Sequence, residues 1–163
     1  MYKNYIEKEN TMELKLKLET LLHALDNYDD IEEYGLYLNI ITGELYNLYD
    51  SFVNDEENDQ FYEEIINTPD KYLKLPDQRS IEKTESETEI MKKFVLNYVD
   101  DEKKQKQLLK SIKGTLFSKD PVLIRFSKEL YNVGLKQEYD KYISTYCEDY
   151  VRDWCKKHNI IVI

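Results

Sequence analysis

The chain contains few of the residues that define several common protein classes. Its 163 residues include 2 Cys, 3 Pro and 4 Gly, which excludes disulfide-rich, collagen-like and low-complexity chains. No apolar run reaches the roughly 18 residues of a membrane span. The charged beginning of the chain lacks the apolar segment of a secretory signal. We therefore expect a cytoplasmic protein with reduced thiols.

Motifs that carry catalysis or bind cofactors are also missing. The chain has no G-x-S-x-G elbow, no glycine-rich phosphate loop and no G-x-G-x-x-G fingerprint. The residues of the types that bind zinc are too far apart in the sequence to form a complete set of ligands. They are His23, Cys147, Cys155 and His158. We therefore expect no metal, no cofactor and no catalytic residue, and an enzyme of unrecognised type stays an alternative.

Positive charge is absent from a long stretch of the chain. Residues 18–70 contain fifteen acidic residues and no Lys or Arg, and the whole chain has a formal net charge of −10. Residues 103–128, in contrast, hold eight basic residues and one acidic residue. Such asymmetry bears on association rather than on fold. Either the two segments face each other, or both are solvated surfaces, or the acidic half meets a basic partner.

Two groups of charged residues are the candidate interaction residues. The acidic group lies in a predicted polar loop and comprises Asp55, Glu56, Glu57 and Asp59. The basic group falls within about 80° of a helical wheel and comprises Lys103, Lys106, Lys110 and Lys113. The lysines could contact phosphates as point charges, or they form an ordinary solvated helix face.

The apolar pattern predicts an α+β fold that is mainly helical, with a small antiparallel sheet near the N-terminus. Residues 34–39 and 44–49 predict a β-hairpin whose turn places Gly43 at positive φ, and residues 72–75 predict a third strand. We expect one domain over residues 1–163, with residues 1–10 as a loosely ordered leader and residues 78–88 as a flexible loop.

Helical periodicity accounts for most of the remaining chain. It predicts helices over residues 10–27, 59–67, 84–99, 121–133 and 136–157, and a further helix that begins at Asp100 or Asp101 and ends before Gly114. The alternation from Met12 to Leu18 also fits a strand. We expect Thr84 and Glu87 to cap the helix over residues 84–99. We expect Asp120, which proline follows, to cap the helix over residues 121–133. The helix after Asp120 is expected to bury Leu123, Phe126 and Leu130, and the apolar tail 160–163 to pack back on the body.

The last predicted helix carries an aromatic stripe. Its members recur at helical spacing and are Tyr139, Tyr142, Tyr146, Tyr150 and Trp154. Core packing is the simpler interpretation of such a stripe, and the alternatives are stacking on nucleic-acid bases or contact with a partner helix. Under the first interpretation we expect Trp154 to be largely buried.

Several short motifs occur together in a fixed order. They are Thr42-Gly43-Glu44, Leu75-Pro76, Met91 to Phe94, Ile112 to Gly114, Arg125-Phe126, Gly134-Leu135 and Trp154. In this order they resemble a widespread uncharacterised bacterial protein family over residues 34–159. Glu138-Tyr139 and the segment 119–121 depart from the family pattern. The resemblance implies a bacterial cytoplasmic domain and supplies no catalytic residues.

These observations favour a non-enzymatic interaction or regulatory module that binds a protein partner through an acidic surface. An alternative is an acidic mimic of nucleic acid that inhibits a DNA- or RNA-binding protein. Direct binding of nucleic acid through the lysines is opposed by the net charge of −10. The sequence leaves self-association open.

Overall fold

The structure is a computed structural model that describes residues 13–26, 31–49, 56–115 and 117–163. The expected leader, residues 1–10, lies outside these ranges. Within them the chain forms seven α-helices and five short strands. The strands are β1 (Lys15–Leu16), β2 (Gly35–Asn39), β3 (Leu45–Leu48), β4 (Tyr72–Lys74) and β5 (Ile161–Val162). The helices are α1 (Leu18–Asp26), α2 (Glu56–Asn67), α3 (Gln78–Glu82), α4 (Glu87–Tyr98), α5 (Glu102–Lys113), α6 (Val122–Val133) and α7 (Lys136–Lys157).

The predicted hairpin and its third strand are confirmed. Strands β2 and β3 pair antiparallel, and β4 pairs with the other edge of β2, so the order is β3–β2–β4. Gly43 has a φ of 76° in the turn. The Asn39 side chain, the one buried polar side chain among the described residues, accepts backbone hydrogen bonds from Ile41 and Thr42 at 2.9 and 3.1 Å. These bonds fix the turn.

The prediction of a helix from residue 10 is wrong within the described residues, because the helix begins only at Leu18. Residues 15–16 form β1, which pairs parallel with β5 at the other end of the chain. The strand exposes Lys15 and buries Leu16, in line with the alternation noted in the sequence. This pairing with β5, which a local pattern does not reveal, decides between strand and helix, and it places the C-terminal tail against the body as expected.

The segment 78–88 contains more regular structure than the predicted loop. Asp77 and Ser80 form a capping box that begins α3. The predicted cap of α4 is wrong by two residues, since Ser86 and Glu89 form its capping box. Thr84 instead donates its hydroxyl to the carbonyl groups of the last turn of α3. Two overlapping Ser/Thr-x-x-Glu patterns compete here, and Thr84 is engaged by α3.

The other helix ends are close to their predicted positions. Asp101 caps α5 by accepting from the backbone N–H groups of the next turn. Helix α6 has Pro121 rather than Asp120 at its N-cap position. It ends at Gly134, which adopts a left-handed conformation with a φ of 72°. Helix α7 has the predicted bounds. Among the described residues, no helix combines the length and apolar character needed to cross a bilayer.

The buried side chains form two clusters, which α7 connects. The helical cluster lies between α4, α5, α6 and the first half of α7, and includes Phe94, Leu108, Phe126, Leu130 and Tyr139. The mixed cluster joins β1, α1, β2 and the second half of α7, and includes Leu16, Leu21, Leu25, Val151 and Cys155. Helix α7 therefore contributes Tyr139 to one cluster and Val151 to the other. The space between the two clusters is where a groove can form.

One arginine of the basic segment joins α5 to α6. The Arg125 guanidinium donates to the carbonyl groups of Ser111 at 3.0 Å, Ile112 at 3.2 Å and Asp120 at 2.5 Å. The first two carbonyls lie at the end of α5, where they lack helical partners. Gly114 follows directly, with φ 66° and ψ −168°. A Cβ at Gly114 would lie 2.7 Å from an Arg125 Nη atom, so glycine is required both by conformation and by space.

We expect Gly114→Ala to lower the free energy of unfolding by about 1–3 kcal/mol, since this backbone region is nearly restricted to glycine. The guanidinium must also move. Gly134→Ala is the matched control, because Gly134 also has a positive φ but a methyl group there would approach no neighbouring segment within 4 Å. Urea unfolding should give a larger loss for Gly114→Ala, and equal losses would contradict the role of Arg125.

Candidate functional site

A groove of about 810 Å³ lies between the two buried clusters. Its floor is apolar and is formed by Leu25, Ile81, Ile90, Phe126 and Leu130. The lining comes from the end of α1, from α3, from the start of α4, and from α6 and α7. An apolar concave surface of this volume is of the size that binds ligands or side chains of a partner.

The rim of the groove is acidic. Its lining includes five carboxylates and one ammonium group, a net charge of −4, from Asp26, Glu82, Glu85, Glu87, Asp140 and Lys136. Lys136 pairs with Asp140, and Lys93 pairs with Glu85. The other three carboxylates, which we call the free rim acids, are Asp26, Glu82 and Glu87. Within the described residues they form no ion pair.

Ionisable groups in and around the groove show the effect of this charge. Partial burial and, to a smaller extent, the Glu82 charge raise the pKa of Glu87 above its ordinary value. Burial and then the Glu87 charge raise the pKa of Tyr139. Burial, followed by a hydrogen bond to Glu85, raises the pKa of Tyr146, whose hydroxyl donates to Glu85 Oε2 at 3.1 Å. Among the described residues, lysines pair with Asp140 and Glu85, whereas the charges of the free rim acids have no ion-pair partner.

The groove leaves open an apolar side chain that the sequence predicts to be buried. Leu123 lines the groove and is 49% exposed, so the expectation that α6 buries it is wrong. Phe126 and Leu130 on the same helix are fully buried, as expected. All three residues lie on one face of α6, but Leu123 lies in the first turn of the helix, outside the helical cluster that covers Phe126 and Leu130.

The candidate acidic residues from the sequence lie elsewhere, on α2. Glu56, Glu57 and Asp59 are exposed in the first turn of this helix, and Asp55 lies outside the described residues. The predicted loop at this position is wrong, since α2 begins at Glu56. Phe61 holds the helix on the sheet by stacking on Tyr46, with ring centroids 4.9 Å apart. The acids of α2 therefore project from a helix that is anchored by aromatic contacts.

The candidate lysines form an exposed face of α5. Their side chains lie opposite Leu108 and Ile112, which are buried in the helical cluster. Only Lys106 of the four approaches an acid, with its Nζ 4.0 Å from a Glu102 oxygen among the described residues. These lysines do not line the groove. The structure thus separates the basic face of α5 from the acidic groove.

The aromatic stripe of α7 has several environments. Tyr139 is buried and packs edge-on against Phe94 and Phe126, with ring centroids 5.0 and 5.1 Å away. Tyr146 faces the groove. Trp154 is partly exposed and packs at the border of the mixed cluster, where its ring lies 4.5 Å from that of His158. Trp154 is thus neither fully buried nor exposed, and its packing on the mixed cluster agrees with the expectation that most of its surface is covered.

The side chains of Cys155 and His158 do not form a common metal site. Cys155 is fully buried in the mixed cluster, whereas His158 is exposed at the end of α7. In the described ranges no three His, Cys, Asp or Glu side chains are placed to hold a metal ion together. Cys147 is only partly buried and lines the groove.

The groove escapes sequence reasoning because its parts are distant in the chain. Three of its carboxylates lie within residues 82–87, in the segment predicted as a flexible polar loop. The available signal in the sequence is that two apolar residues, Ile81 and Ile90, flank these acids. The opposite wall, on α6 and α7, is brought there only by the packing of α7 on α1.

Cys147 should report on the charge of the groove. Burial, and next the charge of Asp26, raise the pKa of its thiol above the ordinary value. Because the thiolate is the nucleophile, iodoacetamide should modify Cys147 at pH 8 more slowly than in the urea-unfolded chain. Asp26→Asn should lower this pKa and speed the reaction, whereas Glu19→Gln on the same helix should not. Peptide mapping separates Cys147 from Cys155, and an unchanged rate profile in Asp26→Asn would contradict the proximity of the two groups.

The fold and groove together define a mainly helical α+β protein with an acidic, apolar-floored cleft. The sequence matches the uncharacterised protein family UPF0158 over residues 11–163, and the chain belongs to this family. No curated protein and no solved structure matches the chain. Family membership therefore agrees with the resemblance seen in the sequence.

The structure gives physical reasons for the motifs that carry the resemblance. Thr42-Gly43-Glu44 forms the hairpin turn, where the Thr42 hydroxyl donates to Glu44 at 3.1 Å. Leu75-Pro76 follows β4 and is buried. The Ile112 to Gly114 step and Arg125 meet at the end of α5. These motifs maintain the fold, and none of them lies at the rim of the groove.

Proposed function

We propose that this protein is a non-enzymatic interaction module, which binds a protein partner through its acidic surface and holds that partner in the groove. The observation that carries the proposal is the groove itself, since it combines an apolar floor with a net charge of −4 at its lining. Buried apolar contacts retain a partner, and complementary charge selects a basic one. The exposed acids of α2 act at longer range, by steering a basic partner towards the protein.

The division of roles predicts different kinetic effects for two matched triple variants. The groove variant carries Asp26→Asn, Glu82→Gln and Glu87→Gln, and the α2 variant carries Glu56→Gln, Glu57→Gln and Asp59→Asn. Both remove three negative charges. The groove variant should mainly raise the dissociation rate, whereas the α2 variant should mainly lower the association rate, as raising the salt from about 50 to 200 mM does for the wild type.

The test starts from affinity capture in an extract of the native host, with the wild type and both variants as baits. A protein that the wild type enriches and the groove variant loses is then purified, and its kinetics are measured by surface plasmon resonance. Circular dichroism checks that both variants fold. Salt-independent binding, or equal kinetics in the wild type and both variants, would contradict the proposal.

Mimicry of nucleic acid is the second candidate, and an exposed row of acids on α2 favours it. Glu56, Asp59 and Glu63 are exposed and fall within about 60° of the helix circumference, at rises of about 4.5 and 6 Å. A row of this kind resembles successive phosphates. A mimic should compete with DNA or RNA for its partner, and the α2 variant rather than the groove variant should abolish binding.

A further inference from the structure

We propose that the groove binds an amphipathic α-helix of the partner, with apolar side chains against the floor and Lys or Arg side chains at the rim. This inference rests on the proposed function and specifies the chemistry of the segment that the groove holds. It requires the groove to be long, apolar at its base and negatively charged along its edges.

The groove is elongated along α7. Helix α7 lines it with Lys136, Asp140, Ile143 and Cys147, which succeed one another at intervals of four, three and four residues. These residues share one helix face, and at a rise of about 1.5 Å per residue they span about 16 Å, or three turns. A partner helix of three to four turns fits this length.

The floor of the groove contains a row of side chains against which a bound helix can pack. On α6 the groove is lined by Leu123, Ser127 and Leu130, again at intervals of one helical turn. Side chains at positions i, i+3 or i+4, and i+7 of a bound helix can pack between such rows. Leu123 is half-exposed in the structure and would be covered by this packing.

The rim selects the charge of the helix. The free rim acids Asp26, Glu82 and Glu87 come from α1, α3 and α4, so carboxylates lie along the side formed by these helices. Asp140 on α7 adds a carboxylate on the other side, next to Lys136. Lys and Arg side chains that flank an apolar stripe can reach such a rim with their charged ends, while their stems cover apolar surface. An acidic helix would be repelled.

The test uses a synthetic amphipathic peptide of leucine and lysine, about 18 residues long, or five turns. One control is a shuffled peptide whose leucines no longer share a face, and a second replaces lysine by glutamate. The readout is alkylation of Cys147 by iodoacetamide, with buried Cys155 as the internal reference. At saturation the amphipathic basic peptide should slow alkylation of Cys147 by about tenfold, since burial makes a thiol inert. Both control peptides should leave the rate unchanged.

Point variants test whether the peptide binds in the groove or elsewhere on the surface. Leu123→Ser removes an exposed leucine from the groove and should weaken peptide binding by about tenfold. Leu96→Ser is the matched control, since Leu96 is 59% exposed on α4 and does not line the groove. The groove variant should weaken binding more than the α2 variant at equal charge.

Four results would overturn the inference. The first is that the shuffled peptide protects Cys147 from alkylation as well as the amphipathic peptide does, and the second is that the Leu123→Ser and Leu96→Ser proteins bind the peptide with equal affinity. The third is that a small apolar amine protects Cys147 as strongly as the peptide. The fourth is that protection of Cys147 grows with protein concentration alone. The last, with dimers seen by light scattering, would assign the groove to a second copy of this chain. If a captured partner responds to the groove variant while the peptide does not protect Cys147, the inference fails and the proposed function stands. If neither responds to the groove variant, both fail.

Discussion

Replacing Phe126 by alanine should lower the free energy of unfolding by about 3–5 kcal/mol, the range for truncating a buried phenylalanine. Its ring is fully buried and packs edge-on against Tyr139 at 5.1 Å. It also forms part of the groove floor. The loss combines apolar transfer, the remaining cavity and the aromatic contact. Urea unfolding followed by circular dichroism measures it.

Phe117→Ala provides the matched control for this experiment. Phe117 is 90% exposed and lies nine positions earlier in the chain, so its replacement should change the free energy of unfolding by no more than about 0.5 kcal/mol. Similar losses in the two variants would show that α6 does not pack on α7 as described.

Replacing Arg125 by methionine should lower the free energy of unfolding by about 2–3 kcal/mol, because hydrogen bonds from a charged donor to partly buried carbonyls are lost. Three backbone carbonyls, of Ser111, Ile112 and Asp120, lose their donor. Arg125→Lys should recover little of the loss, since one ammonium group cannot reproduce the planar fork. Chemical denaturation of both variants measures the effect.

Arg152→Met serves as the control for loss of an arginine, since Arg152 is exposed on α7. It should leave stability nearly unchanged. Full rescue by Arg125→Lys would show that charge rather than hydrogen-bond geometry holds the α5–α6 junction. This junction also bears on the proposed function, because it sets the position of α6 and therefore of Leu123 in the groove.

Local signals in the sequence were sufficient for most elements. The turn at Gly43, which the structure has as predicted, depends on a residue and its immediate neighbours, and so do the end of α6 at Gly134 and the cap of α5 at Asp101. The errors occur where distant segments compete for a residue. Lys15 and Leu16 became a strand because β5 pairs with them. Thr84 does not cap α4 as expected, because its hydroxyl donates to a backbone carbonyl group of α3.

For the candidate site, the contrast between local sequence signals and contacts of distant segments is stronger. Charge counting drew attention to residues 18–70, and the acids of α2 are indeed exposed. It did not reveal the groove, of whose five carboxylates only Asp26 belongs to that stretch. Residues 82–89 hold four acidic residues and one lysine, but three basic residues flank them, so the charge cancels over residues 79–93. Their common environment depends on where α3 and α4 lie against α7.

The sequence alone determined the helical content, the small antiparallel sheet, the absence of recognised catalytic motifs and the opposed charges of the two halves. Each of these follows from composition or from contacts within a few residues. The tertiary structure decided that α7 joins two separate clusters and leaves a cleft between them. It also decided that Arg125 serves the fold, and that Leu123 and the free rim acids face one groove. Side-chain burial depends on segments that are far apart in the chain, and no local pattern encodes which of them will meet.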